Sequence, residues 1–87
     1  MKHRTSPDFW DAFYDLPPRI QELARKKSEQ MQQNPRTVNL KKASGYWSAR
    51  VNRQYRAIGV DIPDPNVYGV LWIWIGEHDK YERILDG

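Results

Sequence analysis

The apolar positions change period part-way along the chain. Up to Met31 they recur every three or four residues; from Tyr46 onward they alternate with polar residues or run together. The first regime predicts helices. Ser6-Pro7-Asp8 is a helix start, with Ser6 as N-cap, Pro7 at the first helical position and Asp8 suited to the helix dipole. Phe9, Trp10, Phe13 and Leu16 then mark one face. Pro17-Pro18 ends this helix and opens the next. Ile20, Leu23, Ala24 and Met31 lie on one side of the second helix, Lys27 snorkels between them, and Asn34-Pro35 stops it. Together they predict a helical hairpin.

The second regime predicts strands. Val38 and Leu40 alternate with polar residues, and Tyr46 to Val51 and Tyr55 to Ile62 are strand-like runs joined by a tight turn at Asn52-Arg53-Gln54. Pro63-Asp64-Pro65-Asn66 is a further turn. The apolar run from Val67 to Ile75 reads as a strand buried on both faces and broken by Gly76. Strict alternation puts Gly69, Leu71, Ile73 and Ile75 on the face expected under the hairpin. Val70, Trp72 and Trp74 take the other face, which is either a second core under a C-terminal helix from about His78 to Leu85, the expected arrangement, or the wall of a groove. Short connections favour an antiparallel meander. The predicted class is α+β: an N-terminal helical hairpin packed on a mainly antiparallel four-stranded sheet, with a short C-terminal helix.

Length bounds this picture to a single domain, residues 1–87. With no cysteines, stability rests on apolar burial, to which four tryptophans, five tyrosines and two phenylalanines contribute. Absent cysteine agrees with a reducing cytosol. Met1-Lys2-His3-Arg4 is basic but no apolar stretch follows, so no secretory signal is expected. The longest apolar run is too short to cross a bilayer. A cytoplasmic protein with no membrane partner is the expectation.

Charge adds a partner. Between Arg19 and Arg56 ten basic side chains face only Glu22 and Glu29, whereas the remainder is acidic. A basic middle suits a polyanion or an acidic protein. Arg25, Lys26 and Lys27 have the plainer reading of a solvated helix face.

Candidate chemistry gathers after the apolar run, at Gly76-Glu77-His78-Asp79-Lys80-Tyr81. The two histidines, His3 and His78, have no carboxylate cluster at ligand spacing, so no metal or other cofactor is expected. No Gly-rich phosphate loop occurs, and no serine stands in a nucleophile elbow. Metal-free RNA cleavage needs less: the 2′-hydroxyl as nucleophile, proton transfer, and cations around the phosphorane-like transition state. His78 can transfer a proton near neutrality, or simply cap the last helix. Tyr81 shares its helical face and can orient a phosphate or only pack. Arg56 can clamp a phosphate bidentately or be an edge charge, and Arg50 lies across the same turn. Lys41 and Lys42 are candidate backbone-steering cations, with Arg53 a further basic residue in the turn.

The combination resembles the RelE/ParE superfamily of bacterial type II toxins, over nearly the whole chain. The resemblance runs from Ser6-Pro7-Asp8-Phe9 and Leu16-Pro17, through Ile20-Gln21-Glu22-Leu23-Ala24, Asn34-Pro35 and Leu40-Lys41-Lys42, to Tyr46-Trp47-Ser48-Ala49-Arg50-Val51. It closes on Tyr55-Arg56-Ala57 and Trp74-Ile75-Gly76-Glu77-His78-Asp79-Lys80-Tyr81, a "Y-R", hydrophobic strand, "G-x-H-x-x-Y" pattern. It implies a toxin neutralised by a cognate antitoxin. For RelE-like members it implies an endoribonuclease that cuts mRNA, commonly on the ribosome. Arg56 matches the transition-state arginine, His78 the acid/base position of histidine-bearing members, and Tyr81 lies near an aromatic that positions the nucleotide. Lys41, Lys42 and Arg50 fall where members carry phosphate contacts, and Arg53 is assigned with them. ParE-like members instead poison DNA gyrase, and an inactive member would only bind an antitoxin. The family usually opens with a clear β-strand; here Met1 to Ser6 is polar and short, and at most a ragged edge strand is expected.

Overall fold

The computed structural model describes residues 1–34 and 39–86. In chain order the elements are β1 (Lys2–Thr5), α1 (Pro7–Tyr14), α2 (Pro18–Gln33), β2 (Lys41–Ala43), β3 (Tyr46–Arg50), β4 (Tyr55–Asp61), β5 (Gly69–Glu77) and α3 (His78–Asp86). The helix signals act as expected. Ser6 Oγ accepts from the Phe9 N–H at 3.2 Å, and Pro17-Pro18 separates the helices of the hairpin. Phe13, Leu16, Ile20 and Met31 are buried against the sheet, and Lys27 is half-buried beside them. Val38 lies outside the described residues.

The sheet has five strands rather than the four expected, in the order β1-β5-β4-β3-β2. Strands β2 to β5 form the antiparallel meander, and β1 joins the far edge parallel to β5, from Lys2 opposite Gly69 to Thr5 opposite Trp72. So Met1 to Ser6 holds a regular strand. Its side chains hide this, because only His3 is half-buried and the others face solvent. Backbone pairing holds it instead, including Lys2 N–H to Tyr68 O at 3.0 Å and Ser6 N–H to Trp72 O at 2.9 Å. Gly69 permits the approach: a Cβ there would stand 2.2 Å from the Lys2 carbonyl oxygen.

A β-bulge overturns the expected division of β5. Ile58 pairs with Trp74 but Gly59 pairs with Trp72, so Ile73 is an extra residue without a partner on β4. An extra residue resets the period-2 alternation. Val70, Trp72 and Ile75 therefore share the face under the hairpin, with Trp47, Ala49, Val51, Tyr55 and Ala57. Of the face assigned to the hairpin from strict alternation, only Ile75 is in that core. The tryptophans are divided: Trp72 is in the core, and Trp74 is on the opposite face. Gly76 does not break the strand. It pairs with Arg56, and β5 continues to Glu77.

The core is small, so single truncations in it are costly. Ile20 is 1% exposed. Ile20→Ala should lower unfolding free energy by about 2–5 kcal/mol, read as a shifted denaturant midpoint.

His3 ties β1 to this core. The Trp72 indole N–H donates to His3 Nδ1 at 3.2 Å, and the two rings are parallel. Nδ1 must therefore accept, leaving the proton of the neutral ring on Nε2. Burial, with the N-terminal ammonium adding to it, holds the imidazole below its ordinary pKa of 6.5. The unfolded chain then binds a proton that the folded chain refuses, so this stability is present above 6.5 and is lost as pH falls below it. Melting temperature should drop between neutral pH and about pH 5. His3→Asn, which keeps an acceptor but does not titrate, should flatten that drop.

Among the described residues no helix is long and apolar enough to cross a membrane.

Candidate active site

The β3–β4 turn sets the geometry. Asn52 Oδ1 accepts from the N–H groups of Gln54 at 2.8 Å and Tyr55 at 2.9 Å, an Asx turn, and Val51 N–H donates to Tyr55 O at 3.1 Å. The turn leaves Arg50 directly opposite Arg56, and Arg56 in turn is opposite Gly76. Neighbouring Tyr55 and Ala57 point into the hairpin core, so Arg56 projects from the opposite face. That face is covered at Ile58 and accessible toward the β3–β4 turn, where Arg50 is exposed and Arg56 half-buried.

The start of α3 is pinned to the same turn: the His78 backbone N–H donates to Gln54 O at 2.6 Å. One turn of helix then stacks Tyr81 on His78, with ring centroids 5.8 Å apart and planes 24° apart. Arg56 is within electrostatic reach of both Tyr81 and Arg50. Its Nη1 donates to the Asn52 carbonyl and to Tyr55 O, the latter at 3.0 Å, which holds the guanidinium at the turn. The fold thus brings Arg50, Arg56, His78 and Tyr81 to one end of that face.

Burial first, then the charge of Arg50, lowers the Arg56 pKa from its ordinary value, while Tyr81 acts the other way. The guanidinium stays charged at neutral pH. Like charges directly opposite on adjacent strands are unfavourable. Among the described residues the one ion pair is Lys42–Asp61, so no described carboxylate neutralises this arginine pair. Such a pair is suited to an anion that both guanidinia can hold.

The other basic candidates separate. Lys41 pairs with Ser48, which pairs with Ile58 and so with Trp74; this row lies on the same face as the arginines, two residues from their row. At strand spacing that is roughly 7 Å along the strands. Lys42 pairs with Trp47 and so falls on the hairpin face. Its ammonium is 2.9 Å from the Asp61 carboxylate and 5.4 Å from the Trp47 ring centroid. Asp61 also accepts from the Trp47 indole N–H at 2.8 Å, and the bond from Lys42 is the first cause that lowers its pKa. Lys42 is therefore engaged away from the arginine cluster. Arg53 is exposed in the turn. Among the described residues no group of three or more His, Cys, Asp or Glu side chains is placed to hold a metal ion.

On the hairpin side a cleft of 410 Å³ opens between helices and sheet, lined by Arg4, Arg25 and Lys27 and by the buried Trp72 and Ile75. It lies across the sheet from the His78–Tyr81 stack.

This layered arrangement matches solved structures. A chain of the toxin–antitoxin complex RelBE2 from Mycobacterium tuberculosis superposes with a TM-score of 0.66 at 21% identity, covering 88% of this chain and 96% of that one. The YoeB/ParE toxin from Agrobacterium tumefaciens gives 0.61 at 18% identity, covering 90% and 99%. The chain has the RelE/ParE toxin fold. The sequence itself matches no family model and no curated relative. The RelE/ParE fold does not by itself fix the chemistry, which rests on the side chains this chain places on its sheet.

Two residues of the arginine-bearing face were not singled out as site residues by the sequence. Trp74 reads first as core, with a groove wall as the alternative, and Gly76 as a strand terminator, yet both stand in β5 beside the arginine row. The signal was their i, i+2 spacing, which puts them on one face only if the strand runs through Gly76.

Proposed function

We propose that the protein is the toxin of a type II toxin–antitoxin pair and cuts mRNA, acting on the ribosome. The observation that carries this reading is the Arg50–Arg56 pair, which no described carboxylate neutralises, beside the stacked His78 and Tyr81. In this scheme the 2′-hydroxyl oxygen attacks the adjacent phosphorus, and the bond to the 5′-oxygen of the next nucleotide breaks. The products are a 2′,3′-cyclic phosphate and a 5′-hydroxyl. His78 transfers a proton in this displacement. Arg56, held by the turn carbonyls, stabilises the charge that grows on the non-bridging oxygens. Tyr81, braced on His78, positions the nucleotide. Arg50, Lys41 and Arg53 steer the phosphate backbone. An antitoxin is the expected protein partner, as in the RelBE2 complex.

Primer extension on cellular mRNA after induction tests the reading. Discrete new 5′ ends are expected, together with unaltered gyrase supercoiling. Inhibited supercoiling without cuts would make the protein a gyrase poison instead. No growth arrest at all would leave it a binder of antitoxin only.

A further inference from the structure

The arginine-bearing face carries an aromatic side chain that none of these roles uses. Three of the four tryptophans are tied by their indole N–H: Trp10 to Thr5, Trp47 to Asp61 and Trp72 to His3. Trp74 donates to none of the described residues. It is half-buried, and no buried side-chain nitrogen or oxygen lacks a partner, so its N–H edge reaches solvent. Its other edge runs along the strand toward the arginine pair. A Cβ on Gly76 would stand 2.4 Å from Trp74 Cζ2 and 2.7 Å from Cη2, so the six-membered ring lies over the Gly76 backbone. Gly76 is the residue directly opposite Arg56. The bare glycine is thus what lets an indole border the Arg50–Arg56 row, two residues before His78.

A cationic row edged by an aromatic surface has the composition of a single-stranded nucleic-acid site, in which arginines hold phosphate and a ring takes the base. Tyr81 is stacked on His78, whereas the Trp74 ring is placed on the opposite side of the arginine row's glycine. We propose that Trp74 is the stacking floor for an RNA base next to the phosphate held by Arg50 and Arg56, and that Gly76 serves to admit the ring; this rests on the RNA-cleavage reading. Every base has a π face, so the floor orients the chain without selecting one base.

The test is binding of a labelled 2′-O-methyl oligoribonucleotide, which cannot be cut, by fluorescence anisotropy, with thermal unfolding as the folding control. Trp74→Leu should bind roughly tenfold more weakly or worse, and Trp74→Phe much closer to the native chain. Gly76→Ala should weaken binding by pushing the ring aside, and should add little in a Trp74→Leu background. If folded Trp74→Leu binds like the native chain, or if Gly76→Ala costs as much without the indole as with it, the inference is overturned. Should Trp74→Leu fail to fold, native binding by Gly76→Ala overturns it equally. A native chain that neither binds nor cuts RNA removes the cleavage reading and the stacking floor together. A native chain that cuts RNA with these variants unaffected removes only the floor.

Discussion

If the protein cuts mRNA as proposed, Arg56→Ala should lower the cleavage rate on the order of a hundredfold or more while leaving the protein folded. The rate falls because a preformed donor aimed at developing charge is lost. Water replaces it only with reorganisation at the moment of reaction. The fold survives because the turn has its own bonds, from Asn52 Oδ1 to two backbone N–H groups and between Val51 and Tyr55. Arg56→Lys should rescue little. A lysine carries the charge, but not the planar fork that can bond the turn carbonyl and a phosphate oxygen at once. Cleavage rates on programmed ribosomes and melting curves for the three proteins check this. A folded, fully active Arg56→Ala chain would remove Arg56 from the mechanism.

Loss of the His78 imidazole should cost roughly 10²–10⁴ in rate, the range of general acid–base groups. His78 also supports the Tyr81 ring, so alanine alone cannot separate proton transfer from bracing. His78→Phe separates them. Phenylalanine keeps an aromatic surface under Tyr81 but cannot carry a proton, and it should be as inactive as His78→Ala. Activity restored by phenylalanine would mean that the histidine only holds the tyrosine. Both variants should fold, since the tie between α3 and the β3–β4 turn runs through the His78 backbone N–H.

The sequence read well wherever a local signal was strong. Ser6, Pro7 and Pro17-Pro18 set the helix limits, and Asn52 and the Pro63 to Asn66 segment set the turns. What it missed was non-local. Strand β1 has polar side chains and owes its place to a backbone ladder with a distant strand. The faces of β5 depended on an unpaired Ile73, and nothing in the residue pattern marks a bulge inside a run that is apolar throughout. The site shows the same division. Arg50, Arg56, His78 and Tyr81 were candidates from residue type, and the structure brings them near one another, two of them through the short turn. Lys41 and Lys42 are adjacent in sequence, yet the pleat sends them to opposite faces, and only the β2–β3 register decides which one joins the arginines.

The parallel first strand has a consequence for how the chain is made. Its ladder ends on Trp72, and the His3–Trp72 hydrogen bond joins residues 69 positions apart. Helix α1 packs on that same late strand. A nascent chain leaving the ribosome therefore holds its N-terminal strand and first helix without a seat until β5 has emerged. Loop closure over that length is slow relative to local helix formation. The hairpin can form early, but the sheet closes only when synthesis is almost complete. The end of the sheet that bears Arg56 and His78 is thus assembled after the ribosome has finished most of its work on this chain.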